Sequence, residues 1–195
     1  MIPSAFVNFY GDQVRWFFGE VVNVKDDPLK LGRAQVRVFG IYDDVDAENK
    51  PVIAEKDLPW AQIVVPITQG IHEGKGQNLG LLVGTQVFGI FLDGQNSQLP
   101  MIIGSVPKEG DTNKKAEDNY PLNKVYETET GHYKEYDDSG TGRIREQHTK
   151  GTYYEMKEDG IHIYGEAKVT IHGKDVVKVI APSVEVTGDV VKLNS

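Results

Sequence analysis

The sequence predicts an all-β protein in two parts, an N-terminal OB-fold barrel and a C-terminal stalk in which three copies of the chain intertwine as a β-prism or β-helix. Three observations predict it. Between Trp16 and Val106, five short apolar segments alternate as strands do and are separated by Gly-, Pro- and Asp-rich breaks, with nothing convincing at helical period. From Ile161 onward, one short pattern of aliphatic and small residues repeats to the end of the chain. Cysteine is absent from the 195 residues, so packing, backbone pairing or assembly must hold the fold, and a disulfide framework, a thiolate zinc site and a thiol nucleophile are excluded.

The opening stretch, MIPSAFVNFYGDQVR, has no basic segment followed by an apolar core and does not read as a signal peptide. The expected strands are WFFGEVVNV (Trp16 to Val24), AQVRVFGI (Ala34 to Ile41), WAQIVV (Trp60 to Val65), TQVFGIFL (Thr85 to Leu92) and MIIGSV (Met101 to Val106). Five strands in about 90 residues suit a small Greek-key barrel of the OB type, which places the first domain at residues 1–107. Residues 108–119, KEGDTNKKAEDN, carry charges of both signs and no large apolar side chain, and read as a linker. The second domain is expected over 120–195. Its first part gives the polar and aromatic strands VYETETGHYKEYDD, RIREQHT and TYYEMK, joined at DDSGTG and KG and closed by an Asp159-Gly160 hairpin signal.

The remainder is a repeat of the form aliphatic, any, aliphatic, any, small. Ile161, Ile163 and Gly165 make the first triplet; Val169, Ile171 and Gly173 follow eight residues later, and Val177, Val179 and Ala181 eight after that. Val184, Val186 and Gly188, then Val191, Leu193 and Ser195, follow at steps of seven. In a strand the aliphatic pair and the small residue share one face, with Glu166, Lys168, Lys174, Lys178 and Glu185 flanking them. A single copy offers about two aliphatic side chains per layer, against roughly 1–2 kcal/mol of backbone entropy for every residue ordered. Three copies gather about six per layer, worth roughly 1.5–3 kcal/mol each when fully buried. The ten aliphatic residues of the five triplets are therefore the expected trimer core of the stalk. The competing reading, a last sheet folded back on the first 106 residues, is opposed by the charged linker, the regular step and the lack of long apolar strands.

The segments DPLKLGRAQVRVFGIYDD, LPWAQIVVPIT, GLLVGTQVFGIFLDG and PMIIGSV resemble the OB-fold domain of the central spike proteins of contractile phage tails, and VYETETGHYKEYDDSGTGRIREQHTKGTYYEMKEDG is similar to the start of that family's stalk. The run Asp27-Pro28-Leu29-Lys30-Leu31-Gly32-Arg33 is the most specific mark. The resemblance extends from about Trp16 to Ser195, and VgrG proteins of type VI secretion share the arrangement. It implies a homotrimeric spike of a virion's tail baseplate, assembled in the host cytoplasm, held by baseplate hub proteins and driven through the host envelope on contraction. It also implies a PAAR-type tip protein seated on the blunt end of the prism, with Val191, Leu193, Asn194 and Ser195 as its platform. T-even-type members carry a lysozyme domain between barrel and stalk; here only the short linker stands there, so no catalytic residue is carried over and the protein is expected not to be an enzyme. A VgrG-like spike of a secretion or extracellular injection machine is the alternative owner of the same shape.

Other motifs read as structure. Gly74-Lys75-Gly76-Gln77-Asn78-Leu79-Gly80 lacks the Gly-Lys-Ser/Thr of a phosphate loop and the GxGxxG of a dinucleotide site, and is expected to be an inter-strand loop. Asp43, Asp44, Asp46 and Glu48 lack the turn glycine and the distal glutamate of a calcium loop. Asp137 to Gly142 reads as a hairpin turn. His72, His132, His148, His162 and His172 are expected at the surface, with His162 and His172 on the outer face of the stalk, so neither a metal site nor a cofactor is expected. No GxSxG elbow accompanies the serines. An OB fold can also bind single-stranded nucleic acid, but a net charge of −8 with no basic patch argues against that partner and against anionic membranes. Trp16, Phe17, Phe18, Trp60 and Phe88 are then core or subunit contact.

Overall fold

The computed structural model describes residues 8–9, 12–76 and 80–191, and the chain divides into two compact units, 1–113 and 114–195. Among the described residues no helix is long and apolar enough to cross a membrane.

In the first unit a short hairpin, β1 (Asn8–Phe9) with β2 (Asp12–Gln13), precedes five strands: β3 (Arg15–Asn23), β4 (Ala34–Val38), β5 (Trp60–Ile63), β6 (Gln86–Phe91) and β7 (Pro100–Ser105). They close into a barrel in the order β3-β4-β5-β7-β6, with β5 and β7 parallel and every other pair antiparallel. Alternation explains what fills it. Phe17, Val21, Val36, Val38, Val87, Phe91 and Ile102 point inward and are each at most 4% exposed, whereas Trp16 and Phe18 on β3 are exposed and flank Phe88 of β6, Trp16 stacked on its ring and Phe18 tilted against it. Where β6 and β7 slip register, Gly89 lets the strands close on the core: a Cβ there would sit 2.3 Å from the Met101 carbonyl oxygen and 2.5 Å from the Phe17 ring. β4 stops at Val38, short of the expected Ile41, because Gly40 has φ +72° and its N–H donates to the Asp43 carboxylate.

The loop between β3 and β4 carries the DPLKLGR run. The Asp27 carboxylate accepts the backbone N–H groups of Leu29, Leu31 and Arg33, together with Nε and Nη2 of Arg33. One acid side chain thus ties both ends of the turn, alongside the backbone bond from the Lys30 N–H to the Asp27 carbonyl at 3.0 Å. The Arg33 guanidinium lies first among the causes that hold the Asp27 carboxyl well below the usual carboxylate range; the three amides assist and burial opposes. The loop presents Leu29 and Leu31 to solvent.

The second unit opens with a single helical turn, α1 (Lys114–Glu117), inside the stretch expected as linker. Five strands follow as an antiparallel meander: β8 (Asn123–Glu127), β9 (Tyr133–Asp137), β10 (Arg143–Gln147), β11 (Tyr153–Lys157) and β12 (Gly160–Tyr164). α1 packs on β8, the strand at one edge of this sheet: Asn123 Nδ2 donates to the Lys115 carbonyl, and Lys115 pairs with Glu127. β12 is the other edge. From Gly165 to Val191 the chain has no strand pairing among the described residues and is exposed almost throughout.

Candidate functional site

Register sorts the meander into two unlike faces. Lys124, Tyr136, Ile144, Met156 and Ile161 form one cross-strand row, and Tyr126, Lys134, Glu146, Tyr154 and Ile163 the row beside it. Five partners of one row share a face of the sheet, so Ile161 and Ile163 belong to an apolar and aromatic surface that begins four strands earlier, at Tyr126. That surface is open: Tyr126, Tyr136, Ile161 and Ile163 are exposed, and the ion pairs Lys134–Glu146, at 2.9 Å, and Lys124–Asp138, at 2.6 Å, lie among them.

The opposite face is ionic. Its central row runs Val125, Glu135, Arg145, Glu155, His162. Arg145 Nη1 donates to Glu155 Oε2 at 3.0 Å while its guanidinium covers the Tyr153 ring, and Arg143 Nη2 lies 2.9 Å from Glu135 Oε2. Glu135 and Glu155 are buried under these long side chains. Burial alone would push the Glu155 carboxyl up, but Lys157 and Arg145 outweigh it and the net shift is downward.

The expected stalk residues continue that apolar surface into the unpaired tail. Val169, Ile171, Val177, Val179, Val184, Val186 and Val191 are each more than half exposed, as are Val176, Ile180 and Val190, which the triplet pattern did not include. Leu193, Asn194 and Ser195 lie outside the described residues, so of the expected tip platform only Val191 is placed. Among the described residues, no aliphatic side chain of the tail is buried in its own chain. Sequence reasoning began this surface at Ile161; Tyr136, Ile144 and Met156 were missed because their strands mix charge with apolar residues, and only the register shows that the apolar ones align.

The tail also repeats in geometry. A Cβ on Gly165 would lie 2.6 Å from the Lys168 carbonyl oxygen, and one on Gly173 would lie 2.5 Å from the Val176 carbonyl oxygen. Both glycines therefore mark the same tight corner, eight residues apart, with the next valine packed against each. At Gly188, in a seven-residue unit, the nearest atom is 4.0 Å away and the corner is looser.

The histidines and acidic loops are otherwise engaged. His132 and His148 pack ring to ring at 4.4 Å, and each Nδ1 accepts a backbone N–H, from Thr149 and Lys150. His162 meets Asp159 at 3.2 Å. Asp46 caps the turn through Glu48 and Lys50, and Asp137 accepts from the Ser139 N–H in the β9–β10 turn. His72 and Lys75 bond each other's backbones across Glu73 and Gly74, so the glycine-rich loop starts as a tight turn; residues 77–79 of that loop lie outside the described residues. Among the described residues no group of three or more His, Asp or Glu side chains could hold a metal ion.

Comparison with known proteins agrees with the barrel. The chain is 40% identical over 84 residues to the pre-baseplate central spike protein Gp5 of Enterobacteria phage T4, a stretch that makes up 42% of this chain and 14% of that protein. It is 34% identical over 83 residues to protein Gp5 of Vibrio phage KVP40, covering 42% of this chain and 20% of that one. The match thus spans a minor part of either relative's length. The family described as the Gp5 N-terminal OB domain matches residues 40–170, more than half of the chain and the greater part of both the barrel and the meander. By its closed OB-type barrel and by this match, the chain belongs to the Gp5 N-terminal OB domain family.

Proposed function

We propose that the protein is the homotrimeric central spike of a contractile phage tail baseplate, its barrels set among the hub proteins and its C-terminal repeats forming the rigid column that punctures the host envelope. The observation that carries this reading is the run of exposed aliphatic triplets, Val169 to Val191, with no partner in its own chain behind a barrel of the spike family. Such a surface is not stable in water; burying it at roughly 25 cal/mol per Å² requires other copies. The work is mechanical. Contraction supplies the force, and layers shared among three chains transmit it, because no strand can leave without exposing the apolar faces of two others. We assign the protein no bond-breaking step, and we place a PAAR-type tip protein on the last layers. The relative of phage T4 is named as a central spike protein, which supports the owner being a phage over a secretion system.

Light scattering of the purified chain tests the reading. The expected mass is three times 21.7 kDa, stable on dilution; a particle of one chain mass would refute it.

A further inference from the structure

Two turns are built alike at the end of the meander where the tail departs, beside the last pair of β11 and β12, Tyr153 and Tyr164. In the β8–β9 turn the Thr128 N–H donates to the His132 carbonyl and the Gly131 N–H to the Thr128 carbonyl, both at 2.9 Å. In the β10–β11 turn the His148 N–H donates to the Thr152 carbonyl at 2.8 Å and the Gly151 N–H to the His148 carbonyl at 2.9 Å. The two sequences, T-x-x-G-H and H-x-x-G-T, exchange histidine and threonine between their ends. The imidazoles therefore fall side by side, one position beyond the cross-strand pair Tyr133 and Gln147. His132 Nδ1 accepts the Thr149 N–H from the other turn, His148 Nδ1 accepts the Lys150 N–H within its own, and the rings pack at 4.4 Å. The exchange also frees a threonine for the tail: Thr152 Oγ1 accepts the Glu166 N–H at 3.2 Å, just past the Gly165 corner.

An imidazole whose Nδ1 accepts a hydrogen bond is neutral and carries its proton on Nε2, so neither ring has a lone pair left for a metal ion. A second proton on Nδ1 would set donor against backbone donor and place two cations ring to ring. The surroundings offer these cations little relief. Lys134 and Glu146, from β9 and β10, are tied to each other at 2.9 Å. β8 and β11 present the phenols of Tyr126 and Tyr154, and β12 presents Ile163. Glu127 is paired with Lys115, Glu166 is hydrogen-bonded to the Tyr164 hydroxyl, and Glu129 and Lys150 in the turns themselves are exposed. We infer that His132 and His148 are an acid-operated latch on the root of the tail: neutral, they clip the two turns together and keep Thr152 in place for the Glu166 N–H; protonated, they release the second turn and the tail root with it. The latch lies within one chain, so it stands or falls apart from the trimer reading.

Amide hydrogen exchange on the full chain tests it, read by mass spectrometry at pH 8 and pH 5 and corrected for the intrinsic rate at each pH. Because histidine changes charge between about pH 5 and 8, the amides of Thr149, Lys150 and Glu166 should lose protection about tenfold or more at the lower pH, with the β9–β10 ladder unchanged. The double variant His132→Asn/His148→Asn keeps an acceptor near each Nδ1 position but nothing that titrates, and should hold its protection at both pH values. Equal protection of the parent at the two pH values overturns the inference, and so does a loss at pH 5 that persists in the double variant. Should the variant lose both turns, the nitrogen NMR shifts of the two rings in the parent decide. Protons on Nε2 of both at pH 8 are expected, and a proton on either Nδ1 overturns the latch.

Discussion

Asp27 shows how one side chain can organise a whole loop. Three backbone amides and the Arg33 guanidinium converge on its carboxylate, and the result is a rigid turn that holds Leu29 and Leu31 in water. Because the folded carboxyl titrates below its unfolded value of about 3.9, its stabilisation is fully present above that value and fades as pH falls toward the folded one. Asp27→Asn should therefore melt at lower temperature than the parent at pH 7, and the gap should narrow below about pH 4; calorimetry across pH 2–7 measures it. A gap independent of pH would mean that geometry, not charge, ties the loop. Hydropathy patterns cannot show this clamp, since side-chain bonds to backbone leave no periodic trace. The DPLKLGR run is visible in the sequence only as a mark of resemblance, and its mechanism only in three dimensions.

At the scale of elements, strands were legible where alternation met punctuation. The expected Trp16–Val24 and Thr85–Leu92 differ from β3 and β6 by a residue at each end, because Gly, Pro and Asp turns bound them. The α1 turn was hidden: KKAE favours a helix, but four residues are too few to show a period. In the tail, the small third residue of each triplet was legible as a corner, and the structure adds which corners are tight. Gly173→Ala would drive a Cβ into a backbone carbonyl and should destabilise the assembled stalk by about 1–3 kcal/mol per copy. Gly188→Ala, with no atom nearer than 4.0 Å, should change it by under about 0.5 kcal/mol. Thermal melting of the oligomer compares the two; equal losses would show that both corners tighten on assembly.

For the whole molecule the decisive quantity is apolar surface without a partner. Ile171 is 72% exposed in the single chain and should be at the axis in the trimer. Ile171→Asp would set three carboxylates in one layer, where burial of like charges is strongly unfavourable, so the variant is expected to elute as a single chain with its barrel still folded. Light scattering with circular dichroism checks both halves; an intact oligomer would place Ile171 on the outside. The barrel's dependence on assembly should be small, since its core closes within its own five strands. The candidate surface was only half legible in sequence for a matching reason: the triplets declare which residues want burial, while the open sheet that starts the surface is assembled from Tyr136, Ile144 and Met156 on three different strands.

The turn seated on β8 matters for more than local packing. Through the Lys115 carbonyl, which accepts from Asn123, and the Lys115 ion pair to Glu127, α1 holds the first strand of the meander at both of its ends, so the sheet opens on a strand anchored by its own approach segment.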